Sequence, residues 1–354
     1  MSVILNEQRL VRSKRTIRRF LEEGIGIPNG TSRACVSAVL EACAYNTYVE
    51  TVSNKADTLY SYARCAEMDM AVWAYRDWIS QLVKRVHLSE REVMLAFDYT
   101  DEEFYGDVQG FDIQGWTGEH GITGKFKFLT CSVIDGDLGE RIPLFSIHAR
   151  LGHDPTEKIS YSLAMIEKVI GPIKLILFDR GFFIKKLMHF CNEKKYNYLI
   201  FTPKNDHVKD VLSTMKRGDQ KIEHYEFDFS SGNTTEHGST YLTFLKSVFS
   251  KRLEKDLDWC FATNLPNIDL NSIIKTYMKR WNIENNFKMQ DVACIKVKSS
   301  DVKVRFLFFS IQNLLLSIWK ICFKKEVSFK EFIIQLHKLD QELERREKAK
   351  QKNK

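Results

Sequence analysis

The chain has 354 residues, 44% of them apolar and only 6 of them proline, which excludes a disordered polypeptide and exceeds what one hydrophobic core usually serves. Lysine and arginine outnumber aspartate and glutamate by 53 to 46, a net charge of +7 that permits a polyanionic partner without establishing one. The 8 cysteines form no CxxC pair and no His/Cys cluster at zinc-ligand spacing, so they read as small hydrophobes of a reduced, cytoplasmic protein without structural zinc.

Residues 1–90 read as a helical N-terminal region, carried by TIRRFLEE, SRACVSAVLEACAYNT and the long run from ADTLYSYARC to ISQLVKRV. The opening residues lack the apolar core and cleavage site of a signal peptide. The clusters SKRTIRR and KRVH suit a DNA-binding module, and equally an ordinary basic surface.

From residue 91 the pattern turns to strands. VMLAFDY is a short apolar run of buried-strand type that ends on Asp98. A glycine-studded stretch, EEFYGDVQGFDIQGWTGEHGITG, matches no phosphate-binding template and reads as a long connection. KFKFLTCSVID and RIPLFSIHAR then form a hairpin, with Lys125 and Lys127 available for DNA backbone phosphates. An amphipathic helix over 157–170, the strand IKLILFD ending on Asp179, a helix and the strand YNYLIFTPK follow. Hairpin plus βαβ predicts an α/β fold, a mixed sheet flanked by helices of the ribonuclease H-like kind, with its first part over 91–203. Residues 204–258 turn polar and aromatic around a Ser-Gly-Asn turn, which predicts a small β-rich insertion apart from the main sheet. WCFATNLP, opened by Trp259, returns the chain to the core, whose second part spans 259–325.

A helix is predicted from about residue 270 through YMKRWNIENNFKMQD. At about 100° per residue, Tyr277, Arg280, Glu284, Lys288 and Asp291 share one stripe. Alone, the stripe is equally a solvated face on which Arg280 and Glu284 make an ion pair of about 0.2–0.5 kcal/mol. Basic residues outnumber acids between 275 and 325, around that helix. The apolar run at 306–323 is borderline in length for a membrane span, and Gln312, Asn313 and Lys320 would be costly in lipid, so it reads as a buried core helix. The last segment, 326–354, is a charged helical or disordered tail.

Three acids delivered by two strand ends and one helix suit a two-metal phosphoryl-transfer site, because a pair of divalent ions roughly 3.5–4 Å apart needs hard oxygen ligands. Open α/β sheets bind ligands at the carboxyl ends of their strands, so Asp98 and Asp179 on adjacent strands would converge on one crevice. A dehalogenase-like phosphotransferase is disfavoured, since its typical second aspartate two positions on is absent, Asp98 being followed by Tyr99 and Thr100, and it would leave the Tyr277, Arg280 and Glu284 stripe unexplained.

Asp98, Asp179 and the string Y-x2-R-x3-E at Tyr277, Arg280 and Glu284 resemble the DDE transposases of prokaryotic insertion sequences that carry the YREK signature, over roughly residues 91–325. The resemblance implies metal-dependent DNA strand cleavage and strand transfer, with Asp98, Asp179 and Glu284 holding two Mg2+ or Mn2+ ions. It implies phosphate contacts from Tyr277, Arg280 and Lys288. For Trp259 it implies stacking on a flipped base, against which a core tryptophan stands as an equal reading. The partners it implies are double-stranded DNA with terminal inverted repeats and a target DNA, met by a homodimer on the nucleoid and away from membranes. Where the family usually has lysine seven residues after the glutamate, this chain has Asp291. An inactive, transposase-derived DNA-binding protein is therefore the alternative.

Overall fold

The computed structural model describes residues 3–117, 121–134, 141–232, 234–250 and 254–352. The turn of the predicted hairpin at 135–140, positions 118–120 of the glycine-studded connection and Asn233 of the Ser-Gly-Asn turn lie outside the described residues.

Five helices come first: α1 (Glu7–Ile25), α2 (Asn29–Tyr45), the single turn α3 (Val49–Val52), α4 (Ala56–Cys65) and α5 (Met68–Val83). Asn6 starts α1 by accepting the Arg9 N–H through its side chain, and Gly26 ends it in the left-handed conformation that glycine adopts without a Cβ clash. The strands and remaining helices follow as β1 (Val93–Phe104), β2 (Ile113–Gly115), β3 (Gly124–Val133), β4 (Ile142–His148), α6 (Pro155–Ile166), β5 (Ile173–Phe178), α7 (Lys185–Glu193), β6 (Tyr198–Phe201), α8 (Asp206–Thr214), β7 (Gln220–Ser231), β8 (Thr234–Ser250), β9 (Lys255–Thr263), α9 (Leu270–Met278), α10 (Trp281–Asp291), α11 (Val302–Cys322) and α12 (Phe329–Lys352). Asp154 caps α6, with Pro155 where a missing N–H costs nothing.

The nine strands among the described residues form one sheet. Its centre is the predicted ribonuclease H-like arrangement: β1 pairs antiparallel with β3, β3 with β4, and β1 parallel with β5, which is parallel to β6. The insertion corrects the sequence reading. β9 pairs with β6 on one edge and with β8 on the other, and β8 carries β7, so the 204–258 strands extend the main sheet. Alternation of polar and apolar residues reports a half-solvated strand, and it carries no information about which edge that strand joins.

α11 is long and apolar enough to cross a membrane, yet it is the central helix of the fold, buried from Val304 to Lys320. Phe128 of β3 stacks on its Phe309 at 4.6 Å, and Tyr60 of α4 meets its Phe308 edge-on. Tyr75 of α5 donates to the Pro143 carbonyl of β4 at 3.0 Å. The N-terminal helices therefore share one continuous apolar cluster with the sheet. The tail takes the helical form: α12 buries Phe329, Phe332, Ile333 and Leu336 and runs on as a charged helix tied to the N-terminal region by Arg346–Glu7 and Arg33–Glu347 pairs.

Candidate active site

Register alone brings the two aspartates together. In the parallel β1–β5 ladder, Phe97 pairs with Phe178, so the next residues, Asp98 and Asp179, stand side by side where that pairing ends. Asp98 is not at a strand end, as the apolar run suggested. β1 continues to Phe104 against β3, with Asp98 opposite Thr130, because a strand needs only one partner to go on. Tyr99 N–H donates to Asp98 Oδ1 at 2.9 Å. Asp179 leaves β5 and begins a short 3-10 turn.

The single helix expected from residue 270 is two helices, α9 and α10, parted at Lys279 and Arg280. The junction is tightened rather than opened: Arg280 N–H donates to the Tyr277 carbonyl and Ile283 N–H to the Arg280 carbonyl, each at 2.8 Å and three residues apart. α9 is held by Ile273 and Tyr277 against Leu175, Leu177 and Phe261 of the sheet.

Arg280 reaches all three carboxylates from this junction. Nη1 donates to Asp98 Oδ2 at 2.7 Å, while Nη2 donates to Glu284 Oε1 at 2.9 Å and lies 3.5 Å from Asp179 Oδ1. The Tyr277 hydroxyl points at Asp179 Oδ1 from 3.4 Å. The Arg280 side chain is 5% exposed and that of Asp98 15%, against 43% for Asp179 and for Glu284, so the cluster is buried on one side and open on the other. Burial pushes the Asp98 carboxyl up to about 6; the Arg280 charge opposes this and the neighbouring Asp179 and Glu284 reinforce it. Burial also raises the Tyr277 hydroxyl. For Arg280 burial favours deprotonation, and the Tyr277 oxygen and the three carboxylates outweigh it, so its pKa rises.

The other predicted contacts lie elsewhere. Lys288 is exposed, one turn beyond Glu284. Asp291 ends α10, where its backbone carbonyl accepts from the Asn46 side chain and burial, then Glu103, raise its carboxyl pKa. Trp259 is buried at 8% exposure between Phe201 at 5.6 Å and Phe261 at 5.9 Å, a core position in this conformation. Lys125 sits 3.9 Å above the Trp116 ring and pairs with Asp101, and Lys127 stands 5.3 Å over Tyr99. Lys127 pairs across the ladder with Asp101, an odd position of β1, whereas Asp98 is even. Alternation therefore turns Lys125 and Lys127 to the opposite face of the sheet from the carboxylates.

A buried polar layer behind the site escaped the sequence reading. Lys320 of α11 donates to Asn286 Oδ1 of α10 and to the Arg141 carbonyl. Gln290 donates to Asn313, which reaches Ser146 at 3.4 Å, and Ser146 meets Thr130 opposite Asp98. Beyond α10, Arg305 is buried and donates to the carbonyls of Ser299, Glu103 and Val297, tying the following loop to the end of β1. Asn313 and Lys320, one heptad apart in an apolar helix, were the available signal: a polar group inside a core needs a partner.

Three carboxylates are the right donor chemistry for a hard divalent cation. Among the described residues, however, no three His, Cys, Asp or Glu side chains stand close enough to ligate one ion. The Arg280 guanidinium stands among the carboxylates instead, so the set as placed does not fit a metal.

Residues 144–301 match the protein family described as transposase DDE domain. That match covers less than half of the 354-residue chain. The matched stretch contains Asp179 and Glu284, with Asp98 ahead of it. A search of curated proteins finds no match. Among solved structures the fold is similar to a piggyBac transposase synaptic complex with hairpin DNA, seen by cryo-electron microscopy, with a TM-score of 0.61 and 12% identity over 96% of this chain and 81% of that one. That likeness concerns the ribonuclease H-like fold. Neither comparison singles out the insertion-sequence subgroup with the YREK signature.

Proposed function

We infer that this chain is a DNA transposase that cleaves DNA strands at the ends of a mobile element and joins them to a target. The observation that carries the reading is the convergence of Asp98, Asp179 and Glu284, 186 positions apart in sequence at the extremes, on one guanidinium within 3.5 Å. Phosphoryl transfer asks a protein mainly for positioning and charge compensation. Strand register positions two of the carboxylates, and the α9–α10 junction positions the third. Arg280 and the Tyr277 hydroxyl are the groups beside them that suit a phosphodiester.

The spacing of Tyr277, Arg280 and Glu284 supports placement with the insertion-sequence transposases of the YREK type. The cations of this proposal are two Mg2+ or Mn2+ ions on Asp98, Asp179 and Glu284, and they require Arg280 to give way. Residues 1–90 are proposed to hold DNA. In their support, a groove of about 550 Å³ is lined by Lys14, Arg15, Arg18 and Arg33 of α1 and α2 and by Lys348 of α12, five basic residues against the two acids Glu344 and Glu347. Terminal inverted repeats, a target duplex and a dimer that brings two ends together complete the proposal. Asp291, where the family has lysine, favours the second reading, a DNA-binding protein that no longer cuts.

Incubating the chain with terminal-repeat DNA and Mg2+ or Mn2+ separates the two. The transposase reading expects nicking that falls by about 10²- to 10³-fold or more in Asp179→Asn while DNA binding persists. Binding without nicking under either ion overturns it.

A further inference from the structure

The face of the sheet turned away from the carboxylates carries a concentration of charge of its own. Beside the β2–β3 edge lies a cavity of about 140 Å³, lined by Gln114 of β2, Lys125 and Lys127 of β3, and Arg150 and His153 from the turn after β4. Lys125 is engaged there, by Asp101 at 3.5 Å and by the Trp116 ring beneath it. Lys127 is not. It is half-buried 5.3 Å over the Tyr99 ring and has no carboxylate partner among the described residues, and the exposed Arg150 guanidinium has none either. The acid on the same wall, Asp112, faces His148 at 3.7 Å.

The wall is fixed in advance of any ligand. His153 Nδ1–H donates to the Arg150 carbonyl at 2.7 Å, which leaves Nε2 to accept from the Tyr99 hydroxyl at 2.7 Å. The Tyr99 ring in turn stacks on Phe182 at 5.0 Å. The imidazole is thus spent on internal bonds, and the unspent donors of the cavity are Lys127 and Arg150. Neighbouring groups register their charge. Burial lowers the His153 pKa, and Lys158 and Lys127 lower it further against the Arg150 carbonyl and Asp154. Burial, and after it Arg150, lowers Lys158.

We propose that this cavity is a second phosphate site, which seats one backbone phosphate of DNA between Lys127 and Arg150 on the face opposite the acid cluster. A half-buried ammonium is costly to keep without a counter-charge, and a bound oxyanion supplies one. The arginine fork takes two phosphate oxygens, and the lysine attracts the group as a point charge. The volume falls below the roughly 300–1,000 Å³ of a site for a whole small organic molecule, so a single phosphate group is what it admits. On the rim, Leu151 is 54% exposed, and Phe111, whose carbonyl accepts the Leu151 N–H, is 69% exposed. A free ion leaves these two side chains in water, whereas a sugar-phosphate strand covers them. The inference rests on the transposase reading only for the identity of that strand as DNA.

Binding of the full chain to a labelled duplex, followed by fluorescence anisotropy in EDTA over a series of salt concentrations, tests this. The double variant Lys127→Gln, Arg150→Gln is expected to bind about 10-fold more weakly at low salt. Its slope of log affinity against log salt should be shallower by about 0.9, the counterions of one phosphate. Arg150→Gln alone, at an exposed position, weakens binding without disturbing the core, and the charge-keeping Arg150→Lys weakens it less. Lys168→Gln, which removes an exposed charge beyond the far end of α6, should leave the slope as it was. An unchanged affinity and slope in the double variant defeat the inference alone, and a loss matched by Lys168→Gln defeats it too, since general attraction then accounts for the effect. Thermal melting in inorganic phosphate at constant ionic strength separates the two sources of the anion. If phosphate stabilises wild type and not the double variant while both bind DNA alike, the cavity holds a free oxyanion and the assignment to DNA is overturned. If wild type binds no DNA at all, the transposase reading fails together with the inference.

Discussion

Lys320 offers the sharpest test of how the fold holds Glu284 in place. It is 5% exposed in the last turn of α11 and donates to Asn286 Oδ1, two residues after Glu284, and to the Arg141 carbonyl. Lys320→Met keeps the length and apolar stem and removes the ammonium. Two buried acceptors then lose a donor, and each such loss costs about 1–3 kcal/mol. Relief from burying a charge offsets part of this, leaving a net loss of about 2–4 kcal/mol. For 354 residues with an unfolding entropy of about 2.1 cal/mol/K each, that corresponds to a fall in melting temperature of about 3–5 °C. Asn286→Leu in the same background removes one orphaned group, so the double variant should recover part of the loss. Calorimetry and urea unfolding of the four proteins in the cycle read the coupling directly. A Lys320→Met protein as stable as wild type, or a double variant simply additive in its losses, would refute the argument that this pair clamps α10 to α11.

Trp259→Ala should cost about 3–5 kcal/mol of stability, as removal of a buried tryptophan does, with DNA affinity unchanged in the folded fraction. Intact stability with weaker DNA binding would instead restore the base-stacking role. Glu102, pushed up to about 7 chiefly by burial despite Arg305 at 3.6 Å, has a folded pKa above its unfolded one. Its contribution to stability is therefore fully present below about pH 4.5, the usual glutamate range, and is lost as pH rises through 7. Glu102→Gln should flatten the decline in stability between pH 5 and pH 8 by up to about 3 kcal/mol, and an unchanged pH slope in denaturant titrations counts against it. Arg305→Met, which strips donors from the carbonyls of Val297, Ser299 and Glu103, should loosen the loop after α10, seen as faster amide exchange over 297–300. Exchange confined to its wild-type rate would show that the loop is held by other contacts.

The local signals in the sequence were of the kind that survive folding. The buried-strand runs that lead into Asp98 and Asp179, and the three- and four-residue spacing of Tyr277, Arg280 and Glu284, depend on backbone periodicity, which each segment carries within itself, although β1 runs on past Asp98 to Phe104. The mixed sheet followed from the order of hairpin, helix and strand, since connections are short and crossovers have one hand. What periodicity cannot express is which group meets which across the fold. The extension of the main sheet by β7, β8 and β9 depends on edge pairing, and the seclusion of Lys125 and Lys127 depends on the register of β3 against β1. The break between α9 and α10 likewise arises where Tyr277 is anchored in the core and Arg280 turns into the acid cluster.

By itself, then, the sequence determined most of the elements and the mixed sheet, and it singled out three acids and the stripe that carries the third of them. Only the tertiary structure decided that Arg280 faces the carboxylates and that Trp259 lies in the core, because both depend on long-range burial. A guanidinium in water is indifferent to its neighbours beyond a few ångströms of screened charge, and it commits to Asp98 only once the sheet and α10 enclose them together.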